Sequence, residues 1–120
     1  MKKLMAFDLD GTLLFDREIE PANVQAIHRW QQAGNIAVCA TGKSIFATKL
    51  ALDTADVTFD YNVLYTGAVV TDAEYNILHA QTLSFAVVRA CYERFTKEPG
   101  VALFATTLTH DYRLADNVGS

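Results

Sequence analysis

The sequence is short of what several large classes of protein require. Only two of its 120 residues are cysteine, Cys39 inside an apolar run and Cys91 far away in a stretch of helical character. Two separated thiols suit buried side chains in a reducing compartment better than a disulfide framework, so the expected location is cytoplasmic. Positive charge is also scarce. Ten Lys and Arg against fourteen Asp and Glu give a net charge of -4 and a pI near 5.2. No basic stripe is present to hold nucleic acid or an anionic membrane surface, and neither is expected as a partner. No apolar run approaches the length of a transmembrane helix. Met1-Lys2-Lys3 imitates the charged end of a secretion signal, but Asp8 and Asp10 interrupt the apolar stretch that follows. Repeats and low-complexity segments are missing. What is there, 51% apolar and 20% charged residues in 13.3 kDa, can bury one modest core.

Strand and helix signals alternate along the first half. Leu4 to Phe7 is a short apolar run halted by the polar cluster Asp8 to Thr12, the pattern of a buried strand opening into a loop. Pro21 suits the first turn of a helix on which Val24, Ile27, Trp30 and Gln31 fall at helical spacing, and Gly34 is placed to end it. Ile36 to Ala40 reads as a second strand, followed by Thr41-Gly42-Lys43-Ser44 and a helix to about Leu52; Val63 to Tyr65 reads as a third strand. This order argues for a parallel sheet with right-handed crossovers, whose ligands sit outside the carboxyl ends of the strands. Both polar clusters then fall on one rim. After Gly67 the texture changes. Ala68 to Thr71 and Ile77 to Leu83 flank a turn-rich stretch and read as a hairpin. A helix is expected from Ser84, its N-cap, to about Lys97, with Val87, Val88, Cys91, Tyr92 and Phe95 on one face, until Pro99-Gly100 stops it. Val101 to Thr106 is a further strand, and Asp111-Tyr112-Arg113-Leu114 belongs to another hairpin. The boundary between two units is expected near Leu83, giving residues 1–83 and 84–120.

Chemistry concentrates at Asp8-Leu9-Asp10-Gly11-Thr12. Two carboxylates one residue apart at a strand end can both face a phosphate if the following glycine lets the backbone turn sharply. One carboxylate can attack phosphorus and form a covalent intermediate. The other can protonate the leaving oxygen and later take a proton from the attacking water. Two acids and a phosphate together need a divalent cation, and hard oxygen ligands favour Mg2+. The competing explanation is an acidic turn capping the first helix or closing a surface hairpin.

Ala6-Phe7-Asp8-Leu9-Asp10-Gly11-Thr12-Leu13-Leu14 resembles the first signature of the haloacid dehalogenase superfamily, and especially its Cof-like branch of sugar-phosphate and related phosphatases. The resemblance implies an α/β fold, a three-layer Rossmann-like core in part, followed by the start of a small α+β cap. It implies Asp8 as nucleophile, Asp10 as acid/base, and Mg2+ held by the Asp8 carboxylate and the Asp10 main-chain carbonyl, with Leu9, Gly11 and Thr12 around the phosphate. Ala40-Thr41-Gly42-Lys43 is similar to the second signature, which implies that Thr41 and Gly42 donate to the transferring phosphoryl group. Lys43 stands where the family usually has Arg; it keeps the charge but loses the planar fork for a substrate contact. A helix N-cap explains Thr-Gly-Lys-Ser equally well. A nucleotide-binding P-loop does not, because no Gly-rich approach precedes it. Tyr65-Thr66-Gly67-Ala68 sits where Cof-like members commonly carry Asn-Gly-Ala, with Thr66 in place of the amide.

His28, His79 and His110 are scattered, without metal-ligand spacing, and read as surface or packing residues. Asp16, Glu18 and Glu20 read as solvated charge before a helix, and Phe59, Tyr61, Tyr65 and Tyr75 as sheet residues. The family's later Lys and later acidic pair are not located in the sequence, and their roles are not carried to Asp111, Arg113 or Asp116. In the family the first strand is central; without its neighbour Leu4 to Phe7 is expected to be an open edge that pairs with another copy. Two functional readings follow: a phosphohydrolase of small phosphorylated metabolites acting through Asp8, with activity impaired in this short chain, or an inactive remnant that only binds or self-associates. A phospho-accepting receiver domain is disfavoured, because the acidic pair brackets one residue and runs straight into Gly-Thr.

Overall fold

A computed structural model describes residues 1–119. In chain order, β1 (Leu4–Phe7) is followed by β2 (Leu14–Phe15), β3 (Glu18–Ile19), α1 (Pro21–Gln32), β4 (Ile36–Ala40), α2 (Ile45–Ala51) and β5 (Tyr61–Leu64). A 3-10 turn at Tyr65–Gly67 leads to β6 (Val69–Asp72) and β7 (Ile77–Ala80), then come α3 (Phe85–Phe95), β8 (Ala102–Thr106) and β9 (Asp111–Asp116).

Local chemistry explains the boundaries. Pro21 begins α1, where a missing N–H costs nothing. Gly34 at φ +89 ends it: its N–H donates to the Gln31 carbonyl and that of Asn35 to the Trp30 carbonyl, which satisfies two free carbonyls of the last turn. Trp30 Nε1 donates to the Ile36 carbonyl at 2.8 Å and fixes the helix against β4. Ser44 caps α2 by accepting from Ala47 N–H at 3.0 Å, and Ser84 caps α3 by accepting from Val87 N–H at 3.3 Å. The third strand starts at Tyr61, two residues before the apolar pattern suggested. It stops at Leu64 because Tyr65 and Thr66 take φ of +52 and +57.

One five-stranded sheet runs in the order β1-β4-β5-β6-β7. β1, β4 and β5 are parallel, with Phe7 opposite Cys39 and Ala40 opposite Val63, as the alternation of strands and helices implies. The hairpin of β6 and β7 extends the same sheet in the antiparallel sense. β1 is outermost, an open edge as expected, but its residues are mostly exposed, so it is not the buried strand that its apolar run suggests: no element covers the outer side. Residues of α1, β4, the loop after β1 and the segment before β5, among them Ile27, Ala37, Cys39, Leu9 and Phe59, form the main core, with Ala51 and Leu52 at the end of α2 packed on it. Burying a Leu or Ile of this kind stabilises by about 1.5–3 kcal/mol. A smaller cluster of Ile45, Leu64 and Val69 lies beside Tyr65 and Leu108.

Asp16, Glu18 and Glu20 are exposed charge ahead of α1, as expected; in addition, Asp16 and Arg17 at φ +50 and +67 form the two-residue turn of a hairpin between β2 and β3. One further expectation needs correction. Cys91 is exposed, whereas Cys39 is buried. No residue of α3 is buried, and Val87, Val88, Tyr92 and Phe95 stay substantially exposed. Part of that face, with Cys91, lines an open groove of about 520 Å³ together with Leu103, Leu108 and Leu114.

Candidate active site

Asp8 is the first residue beyond β1, and the parallel register of Phe7 with Cys39 sets it alongside the carboxyl end of β4. Its Oδ1 accepts from Leu9 N–H at 2.8 Å; Oδ2 makes no hydrogen bond among the described residues. Leu9 is fully buried and anchors the loop. Its carbonyl accepts from the N–H groups of Thr12, Leu13 and Leu14 at 3.0, 3.0 and 2.8 Å, while Gly11 N–H donates to the Leu14 carbonyl at 3.1 Å. Leu14 thus brackets Asp10 from both sides. Gly11 sits at φ +76, a conformation strained for any residue with a Cβ.

Of the residues expected around a phosphate, Leu9, Gly11 and Thr12 therefore spend their amides inside the loop. The Thr12 hydroxyl, the Asp10 N–H and the Asp10 carbonyl carry no internal hydrogen bond among the described residues. The free Asp10 amide is a donor that motif reasoning overlooked, because only the bracketing by Leu14 exposes it.

The second polar cluster is built at the end of β4. Thr41 N–H donates to the Val63 carbonyl at 3.0 Å, and Thr41 Oγ1 accepts from Lys43 N–H at 3.2 Å, which leaves the hydroxyl proton to donate elsewhere. Thr66 N–H donates to the Thr41 carbonyl at 3.3 Å, and Tyr65 N–H to the Lys43 carbonyl at 2.9 Å. A Cβ at Gly42 would meet Thr66 Oγ1 at 3.2 Å, a tight contact from which the hydroxyl would have to shift by a few tenths of an ångström. Lys43 Nζ reaches across to Asp10 Oδ2 at 3.0 Å and joins the two clusters. Ser44, not Thr41, is the helix cap.

Asp10 and Lys43 share a cleft of about 650 Å³ with Leu14, Phe46, Asp53 and Asp111. Asp111 comes from β9 and carried no role in the sequence; no local pattern marks it, because it lies 67 positions from its partner. Its Oδ2 accepts from the Ser44 hydroxyl at 2.9 Å, and its Oδ1 is buried without a partner. His110 packs on Phe46 with ring centroids 4.4 Å apart, and the Tyr65 hydroxyl donates to the Thr107 carbonyl. The His28 ring hydrogen-bonds the Asp56 carbonyl. Burial first, and then the negative charge of Asp8, push the Cys39 thiol up to about 12.

The donor set bears on a metal. Magnesium prefers hard oxygen, keeps several waters and is commonly held by one or two carboxylates. Asp8 Oδ2 and the Asp10 carbonyl, both free, fit such an ion as two of its ligands. Among the described residues no group of three His, Cys, Asp or Glu side chains is arranged to hold a metal.

An α/β sheet with a parallel portion of β1, β4 and β5, and an acidic loop at the end of its first strand, defines the class. Residues 5–117 match the haloacid dehalogenase-like hydrolases, and the chain belongs to that family. It is 35% identical over 89 residues to the HMP-PP phosphatases of Yersinia pestis (strain Pestoides F) and of Yersinia pseudotuberculosis (serotype O:1b). These alignments cover 73% of this chain and 32% of the relatives, so the chain spans about a third of the length of the curated relatives it matches. A haloacid dehalogenase-like hydrolase from B. subtilis superposes with a TM-score of 0.69 at 26% identity, over 78% of this chain and 33% of that one. A HAD/COF-like hydrolase from Plasmodium vivax gives 0.76 over 99% of this chain and 44% of that one; at 20% identity it speaks for the fold alone.

Proposed function

We propose that the chain carries the nucleophile-bearing part of a Mg2+-dependent phosphohydrolase acting on small phosphorylated metabolites. The observation that carries this reading is the parallel register of β1 and β4, which puts Asp8 on the same rim as Thr41 and Gly42. Relatives named HMP-PP phosphatases support the reaction class.

An Asp8 carboxylate oxygen attacks phosphorus, an O–P bond forms, and the ester O–P bond breaks while Asp10 gives its proton to the leaving oxygen. Water then attacks the aspartyl-phosphate; Asp10 takes its proton, and the bond from Asp8 to phosphorus breaks. The Thr41 hydroxyl, the Gly42 amide and the Thr12 hydroxyl donate to the phosphoryl oxygens, while Leu9 and Gly11 shape the loop that presents them. Asp8 and the Asp10 carbonyl would hold Mg2+, which would supply positive charge against that of the acids and the phosphate.

A cytoplasmic setting and pairing of two copies through the β1 edge complete the proposal. The test is Mg2+-dependent phosphate release from a generic aryl phosphate by the 120-residue chain, with Asp8→Asn as control. Release that is abolished by the substitution is the expected result; release by neither protein, or equally by both, overturns it.

A further inference from the structure

We propose that Lys43 is the positioning residue for Asp10, an inference that rests on the roles assigned to Asp8 and Asp10 above. Asp10 hangs from a loop with 65% of its side chain exposed, and the contact with Lys43 is its carboxylate's single hydrogen-bonding partner among the described residues. Left alone, such a carboxylate samples several rotamers. Lys43 is fixed at its base. Its N–H is held by Thr41 Oγ1, its carbonyl accepts from Tyr65 N–H, and the next residue, Ser44, is buried as the cap of α2. Its side chain is 25% exposed, and its ammonium stands 3.0 Å from Asp10 Oδ2.

An exposed ion pair of this kind adds little to stability. What it supplies is direction: one carboxylate oxygen is held toward Lys43, which fixes where the other oxygen points. General acid and base groups lose much of their effect when displaced by about 1 Å. The geometry thus assigns to Lys43 a different task from the substrate contact that its place in the second signature implies. A substrate contact acts on binding, whereas a positioning residue acts through Asp10 on turnover.

The two tasks separate in steady-state kinetics on an aryl phosphate with Mg2+, each variant being checked for folding by thermal melting. Lys43→Met is expected to lower kcat by roughly tenfold to a hundredfold, and KM falls in step because hydrolysis of the intermediate limits turnover, so kcat/KM changes by no more than about twofold. Lys43→Arg restores most of the rate. A good aryl leaving group departs without an acid, so Asp10→Asn and Lys43→Met should both accumulate phosphorylated chain after acid quenching. In the Asp10→Asn background, Lys43→Met should cause no further loss, because it has nothing left to position. A raised KM with unchanged kcat, a full additional loss in the Asp10→Asn background, or a fully active Lys43→Met overturns the positioning role while leaving Asp8 as nucleophile intact. A wild-type chain that releases no phosphate overturns the underlying assignment and this role with it.

Discussion

The Ser44 hydroxyl donates to Asp111 Oδ2 at 2.9 Å while its oxygen accepts from Ala47 N–H at 3.0 Å, so one side chain both caps α2 and tethers β9. The tether binds residues 67 positions apart and sits one residue from Lys43. Ser44→Ala removes the cap and also leaves the Asp111 carboxylate without a donor. We expect it to cost about 1–2 kcal/mol. Asp111→Ala removes only the tether, along with a buried oxygen that has no partner, and should cost about 1 kcal/mol or less. Urea denaturation of both variants checks the order; an equal or greater loss for Asp111→Ala contradicts the dual role of Ser44.

The two thiols should differ in kind. Cys91 is exposed and Cys39 buried, so a thiol reagent at neutral pH should modify one group per folded chain, Cys91, and a second only on unfolding. Peptide mapping after brief labelling identifies which. Early modification of Cys39 contradicts the packing of β4.

Stability should fall in alkali. In the fold the Cys39 thiol is pushed up to about 12 from an ordinary value of 9.0, and the neutral form is the one the fold favours. The contribution is complete below pH 9.0, and it is lost as pH rises from there towards 12, where the unfolded chain ionises first. Cys39→Ala lowers stability at pH 7 through lost packing but should flatten the decline above pH 9. Chemical denaturation from pH 7 to pH 11 measures both slopes; parallel curves contradict the assignment.

Gly11→Ala should destabilise by about 1–2 kcal/mol through backbone strain alone, because φ is +76 and no atom lies within 4 Å of the added Cβ. The same change disturbs the loop that presents Asp10, so phosphate release should fall more than stability does. Thermal melting and the aryl phosphate assay on one preparation separate the effects; unchanged activity contradicts the role of this turn.

β1 leaves its outer edge unpaired, and pairing of two copies there predicts a sedimentation coefficient that rises with concentration. A concentration-independent monomer contradicts it.

Much of the fold was legible because its signals are local. Apolar runs ended by Asp8 and Thr41 gave β1 and β4, and Pro21 with Gly34 gave both ends of α1. The hairpin at Asp16-Arg17 was not legible, since neither residue is a glycine and a left-handed turn there depends on the pairing of Leu14 with Ile19. The exposure of Cys91 escaped for the opposite reason: helical spacing reports which residues share a face, not whether anything covers it. In the candidate site, the spacing of Asp8 and Asp10 announces paired carboxylates. The reach of Lys43 to Asp10 and of Asp111 to Ser44 depends on long-range packing that no local pattern encodes.

Covalent trapping tests the nucleophile most directly. The chain is mixed with Mg2+ and an aryl phosphate, quenched in acid within the first turnover, and analysed by intact mass and peptide mapping. A gain of one phosphoryl group on the peptide containing Asp8, absent from Asp8→Asn, is the expected result. Phosphate release that proceeds with no trapped group, or a group mapped to another residue, contradicts it.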